Sequence, residues 1–407
     1  MRTACSSHER ACRMRQAAEA RRPFGGADLW SRGFRPFFLA AGLWAAAAIA
    51  VWPPFFSGEI TIPTAFPPLD WHVHEMIYGF GAAVIAGFLL TAVPNWTGRP
   101  PVAGRALVAL AALWLAGRGA VFLSAKIGWL AALVVDCGFL LVLACVIGRE
   151  VVAGRNRRNV KVAGLVLLLG LVNAVFHLEV ALEGTAVVSG RAAVALLIFL
   201  ILLIGGRVVP SFTHNWLAAR GIAQRPVPFN RADGMVMALS GAALALWVAL
   251  PHDRPTGALL LAAGGANLWR LSRWQGWRTG SDGLVLVLHI GFLLAAAGFL
   301  AAAAHAFAPG AIPVAFGIHV WAIGAIGTMT LAIMTRATLG HSGQALKASR
   351  ATLASYMLVA VALALRLAMI FATGWTVPLM YLAASAWVAA FVVFAIGYGP
   401  YFFNRRG

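Results

Sequence analysis

The sequence predicts an all-α polytopic membrane protein, a helical bundle of about twelve transmembrane helices with both termini cytoplasmic. Three observations predict it. The 407 residues are 61% hydrophobic with a mean hydropathy of +0.82, and only 11% are charged. A soluble domain carries about 25% charged residues. The apolar residues are gathered into runs near the ~20 residues needed to cross a bilayer core. The basic residues fall in short blocks between alternate runs, which is the mark of cytoplasmic loops. The formal charge of +19 is therefore a topology signal, and it does not point to nucleic acid.

In chain order, residues 1–28 form an Arg-rich tail without the apolar core that a signal peptide needs. This tail reads as cytoplasmic and disordered. Residues 29–407 read as one domain. Its apolar runs lie at about 34–52, 73–93, 106–124, 127–147, 160–182, 192–210, 233–250, 256–271, 283–304, 312–334, 351–372 and 377–399. The seventh and eighth are the shortest. Basic residues crowd the tail, the 2–3 loop (Arg99, Arg105), the 4–5 loop (Arg149 to Lys161) and the 6–7 loop (Arg220 to Arg231). They recur in the 8–9 loop (Arg270 to Arg278), around the 10–11 loop (Arg336 to Arg350) and at Arg405 and Arg406. Arg118, Lys126, Arg191, Arg254 and Arg366 fall outside the pattern.

The alternation assigns each polar residue a side. His72, His74, His177, His305 and His319 form an outer layer with Glu75 and Glu179. His214, His289 and His341 form an inner layer with Arg207 and Arg336. The stretch WHVHEMIYGFGAAVIAGFLLTAVPNWTG, Trp71 to Gly98, is the richest. On a regular helix His72, Glu75, Met76 and Gly79 share one face, with His74 on the side of Tyr78. Imidazole suits copper and iron, and thioether suits Cu(I). His72, His74, Glu75, Met76, His177, His289, His319 and His341 are thus candidate metal ligands. Each could instead be a hydrogen-bonded helix residue, and His252 and His305 read as structural. His319 lies in a run rich in small residues, where another helix or a flat ring can come close. Arg207 and Arg336 either snorkel to headgroups or pair with the carboxylates of a haem or with another anion. Asp136, a lone acid in an apolar run, belongs to a proton path or pairs with Arg118 or a polar neighbour. Cys5, His8 and Cys12 match no familiar metal spacing. The inner ends of runs two, six and ten, TAVPNWTG, GGRVVPSFTHNW and AIMTRATLGHSG, hint at a threefold repeat of four helices.

Four stretches carry a resemblance: SRGFRPFFLAAG (Ser31 to Gly42), Trp71 to Gly98, GGRVVPSFTHNW (Gly205 to Trp216) and MTRATLGHSG (Met334 to Gly343). In content and order they resemble the NnrS family of bacterial membrane proteins. The resemblance implies haem and copper as cofactors. It also implies a role in nitric oxide metabolism under denitrifying or nitrosative conditions. The residues matching the family's motifs are His72, His74, Glu75, Arg207, His319, Arg336 and His341. Of these, His72, His74, His319, Arg207 and Arg336 are the expected cofactor contacts, with His72 or His74 facing His319 across a haem. Twelve spans also look like the catalytic subunit of haem–copper oxidases. Those enzymes place copper ligands on span seven, which has no histidine here, so a binuclear oxygen- or nitric-oxide-reducing centre is not expected. The expected partners are the lipid bilayer, nitric oxide or a related small molecule, and an electron donor. The rival reading is a transporter or handling protein for copper or a metal–nitrosyl species. A third is a regulatory or assembly protein with structural histidines.

Overall fold

The computed structural model describes residues 28–403. The tail with Cys5, His8 and Cys12, and the terminal Arg405 and Arg406, lie outside the described residues. Twelve long helices follow one another: α1 Phe34–Phe56, α2 Pro68–Thr97, α3 Arg105–Phe122, α4 Trp129–Ala153, α5 Val160–Glu183 and α6 Val187–Ala218. The second half has α7 Arg231–Ala249, α8 Arg254–Ser272, α9 Gly283–Phe307, α10 Val314–His341, α11 Arg350–Phe371 and α12 Thr376–Phe403.

Eleven helices, all but α8, are long and apolar enough to cross a membrane. The α8 residues that lower its apolarity are used inside the bundle. Arg270 is buried and donates from Nε to Asp233 on α7 (3.0 Å) and from Nη1 to the Leu202 carbonyl of α6 (3.2 Å). Asn267 donates to the Ser240 hydroxyl at 2.8 Å. A buried charge this well paired is tolerable, whereas an unpaired one is not.

Gly206 of α6 makes room for that arginine. A Cβ there would collide with the Arg270 guanidinium, which Asp233 holds in place. Gly206→Ala is expected to cost about 1–3 kcal/mol by overpacking. Gly119→Ala, whose Cβ would meet nothing within 4 Å, should not destabilise. Thermal unfolding of the two variants in detergent makes the comparison, and equal midpoints would refute it.

The chain closes on itself. Arg35, at the start of α1, donates to the Phe402 carbonyl at the end of α12 (3.4 Å), and the rings of Phe34 and Phe402 lie 6.4 Å apart. Both ends of the described chain therefore sit at one end of the bundle, as an even number of spans requires.

Two helices are irregular, and both at a histidine. In α2 a π-helical turn covers Glu75–Gly81, directly after His74. In α10 another covers Val320–Gly327, directly after His319. Pro68, His74 and Gly79 have the spacing of Pro313, His319 and Gly324. A π turn inserts a residue and rotates the rest of the helix, and such turns gather at functional sites. Just before and at the start of the first of these turns, Glu75 bonds to His74, while the His72 ring stacks on Trp52 at 4.3 Å.

Helices α2, α6 and α10, the three whose inner ends look alike, converge with α9 on a cavity of about 90 Å³. Its lining includes Val84, Phe88, Leu200, Val208, Met329 and Ile333.

Candidate metal centre

Four helices bring six polar side chains to one buried point. His74 and Glu75 come from α2, Arg118 from α3, Asp136 from α4, and Asn173 and His177 from α5. None is more than 3% exposed. Gly117 lets α3 close on α4, since a Cβ there would lie 2.9 Å from Asp136 Oδ1 and 3.2 Å from its Cα. Gly79, in the π turn, likewise leaves space for Trp44 of α1, whose Nε1 donates to Glu75 Oε2 at 2.7 Å.

His74 stands between two carboxylates. Its Nδ1 is 3.0 Å from Glu75 Oε1 and its Nε2 is 3.0 Å from Asp136 Oδ2. An imidazolium, donating from both nitrogens, satisfies both. Nε2 also lies 3.0 Å from Asn173 Oδ1. Arg118 donates to Glu75 Oε1 (2.7 Å) and, in a very short contact, to Asp136 Oδ1. Asp136 Oδ2 further accepts from Asn173 Nδ2 (2.7 Å) and His177 Nε2 (3.1 Å). Two cations then face two anions, and the buried charge sums to zero. Balance of this kind is what lets ionised groups remain inside a bilayer.

The same atoms form a ligand set. One donor atom each from His74, Asp136 and His177 lie within 4.8 Å of one another. Nearby, His177 Nδ1 and the Tyr78 hydroxyl are buried and make no hydrogen bond. The His74 ring centroid is 4.9 Å from that of Tyr78 and 5.1 Å from that of Phe66. Two imidazoles and a carboxylate suit zinc, copper or iron.

A second constellation lies toward the outer ends of α1, α2, α10 and α11. His72 and His319 are half-buried and lie within electrostatic reach of one another and of Arg366. His319 donates from Nδ1 to the Ala315 carbonyl (2.7 Å), which leaves Nε2 as the lone-pair atom. His72 Nδ1 is buried and has no partner. Arg366 bonds only to the Met369 sulfur, at 3.5 Å, and forms no ion pair among the described residues. Phe316 and Phe371, with centroids 6.0 Å apart, hold α10 to α11 here.

The other predicted residues stand apart from both groups. Met76 is half-buried against the apolar core. His289 lies 2.8 Å from the Thr213 hydroxyl, with its Nδ1 unpartnered. His341, at the opposite end of α10, is 3.5 Å from Arg32 and lies against the Phe34 ring. Arg207 donates to Asn159 (2.9 Å), and Arg336 lies over the Phe212 ring at 4.1 Å. Arg336 is 17 residues, about 25 Å, along the same helix from His319. One ligand cannot span the two, and Arg366 is the cation that faces His319.

Arg118 was legible only as a partner for Asp136, and Asn173 and Arg366 were not legible as site residues. Their signal was indirect: Arg118 and Arg366 are among the five basic residues that break the loop pattern, and Asn173 lies four residues before His177.

A bundle of apolar helices around a desolvated His–Asp–His group defines a multi-pass membrane protein fit to bind a metal. More particularly, the family model described as "NnrS protein" matches residues 28–406, nearly the whole chain, and the protein belongs to that family. A comparison with curated proteins finds no match.

Proposed function

We propose that this protein is a haem- and copper-containing protein of the bacterial inner membrane that acts in nitric oxide metabolism or in resistance to nitrosative stress. His74, Asp136 and His177 would hold copper. His72 and His319 would hold haem, with Arg366 taking one of its carboxylates. The convergence of three donor atoms within 4.8 Å at a point with unpartnered His177 Nδ1 and Tyr78 Oη carries the copper assignment. Haem and copper would supply binding and one-electron chemistry toward a small diatomic molecule.

The residues fit these groups. Burial is tolerable only near charge neutrality. A monovalent cation replacing the His74 Nε2 proton keeps the sum of Arg118, His74, Glu75 and Asp136 at zero, whereas a divalent cation leaves one excess positive charge. The centre should therefore prefer Cu(I) to Zn(II). Competition between the two under reducing anaerobic conditions checks this, and stronger zinc retention would overturn it. At the outer pair, His319 is oriented by its own backbone, His72 is held flat on Trp52, and Arg366 is a cation lacking a carboxylate. Arg binds carboxylate in bidentate fashion, and each such charged bond is worth about 1.5–3 kcal/mol. Arg366→Gln should thus release haem to an acceptor protein roughly 10-fold faster or more. An unchanged rate would show that Arg366 merely reaches for the headgroups.

The deciding experiment is a visible spectrum of the detergent-purified protein, oxidised and dithionite-reduced, with and without nitric oxide, alongside iron and copper analysis. Soret and alpha bands that shift with nitric oxide are expected. A folded but colourless protein with exchangeable copper would instead support the handling or transport reading.

A further inference from the structure

We propose a separate binding site for a borderline divalent cation, of the Cu(II) or Zn(II) class, formed by His252 and His305. The two histidines read individually as structural, but the fold brings them face to face. His305 ends α9 and is 4% exposed; His252 lies in the turn between α7 and α8 and is exposed. His252 Nδ1 is 2.8 Å from His305 Nε2, with ring centroids 4.9 Å apart and planes at 68°.

The orientation of His305 is set by backbone. Its Nδ1 donates to the Ile312 carbonyl in the α9–α10 loop at 2.6 Å. That bond leaves a lone pair on Nε2, aimed at His252. Metal-ligating histidines are held in this way, with the far nitrogen bonded to a carbonyl or carboxylate. Metal–nitrogen bonds of about 2.0–2.1 Å at tetrahedral or right angles place neighbouring ligand nitrogens roughly 3 Å apart. The two nitrogens already stand near that separation. Cation binding needs His252, the exposed partner, to carry its proton on Nε2 and to turn its ring so that both lone pairs converge on one ion beside the present nitrogen–nitrogen line.

Ligand type sets the class of ion. Two imidazoles without a thiolate favour Cu(II), Zn(II) or Ni(II) over Ca(II) or Mg(II). The exposed side of His252 leaves the remaining positions to water. Asp253, the next residue, precedes α8 without forming a side-chain cap bond, so its carboxylate is uncommitted there. The pair lies at the same end of the bundle as His72 and His319, since α7 and α9 finish where α2 and α10 begin. It shares no residue with either of the other constellations, and a cation would reach it from the compartment opposite the Arg-rich loops.

The test is a Cu(II) titration of the full-length protein in detergent, followed by electron paramagnetic resonance, with a Zn(II) titration read by a competing chromophoric chelator. The native protein should bind an equivalent with two-nitrogen hyperfine structure, abolished in His252→Ala and in His305→Ala and retained in His74→Ala. His252 is exposed, so His252→Ala should unfold at the native temperature without metal and should lose the stabilisation that Zn(II) confers. His305→Ala, from a buried position, is interpreted only alongside it. Unchanged stoichiometry in His252→Ala, or an equivalent lost with His74→Ala and kept in His252→Ala, would overturn the proposal and leave the pair a hydrogen bond that ties two loops together.

Discussion

Asp136→Ala is expected to abolish metal retention at the buried centre and to destabilise the protein by about 3–5 kcal/mol, the usual cost of removing one partner from a buried ion pair. Asp136 accepts from Arg118, His74, Asn173 and His177 together. Without it, Arg118 and the His74 imidazolium face Glu75 alone, and one positive charge is left inside a desolvated cluster. Copper content per protein and the thermal midpoint in detergent measure the two effects. They separate in the double variant Arg118→Leu/Asp136→Leu. That change removes one charge of each sign and leaves His74 paired with Glu75, so much of the stability should return. The metal should not, because a ligand is still missing. Copper retained at the native level in either variant would mean that the His–Asp–His group is only a structural network.

His319→Ala is expected to remove the Soret band altogether while leaving copper at the centre and a thermal midpoint close to that of the haem-free native protein. Among the described residues, the one side-chain hydrogen bond of His319 runs to the Ala315 carbonyl of its own helix. Its loss therefore frees no partner elsewhere in the bundle. The ring also belongs to none of the His74, Asp136 and His177 contacts. His341→Ala, at the far end of the same helix, should keep the spectrum. A full Soret band in His319→Ala, with loss in His341→Ala, would move the haem to the inner end and to the company of Arg32 and Arg336.

The sequence by itself determined the class of the molecule. Apolar runs of spanning length, divided by basic loops on alternate sides, require a membrane bundle because backbone polar groups in lipid must be satisfied within each helix. It also placed His72 and His319 at one end and His341 and Arg336 at the other, since position along a helix is set by residue number at 1.5 Å each. It set His74 on the side of Tyr78, and it offered Arg118 as one partner for Asp136.

Tertiary structure decided the rest. Apolar helices of similar length carry little mark of which neighbour they will touch, so nothing in α2 announced α4 and α5. Asn173 and His177 share a face of α5 by spacing alone, but that this face meets Asp136 is a matter of packing. The π turns after His74 and His319 are likewise silent in a stretch apolar on every side, where an inserted residue breaks no periodic pattern. Glu75, the first residue of one of them, bonds to His74 and completes the charge balance around the ligand set. His252 and His305 met for the same reason: a turn and a helix end 53 residues apart became neighbours only when α7, α8 and α9 packed together.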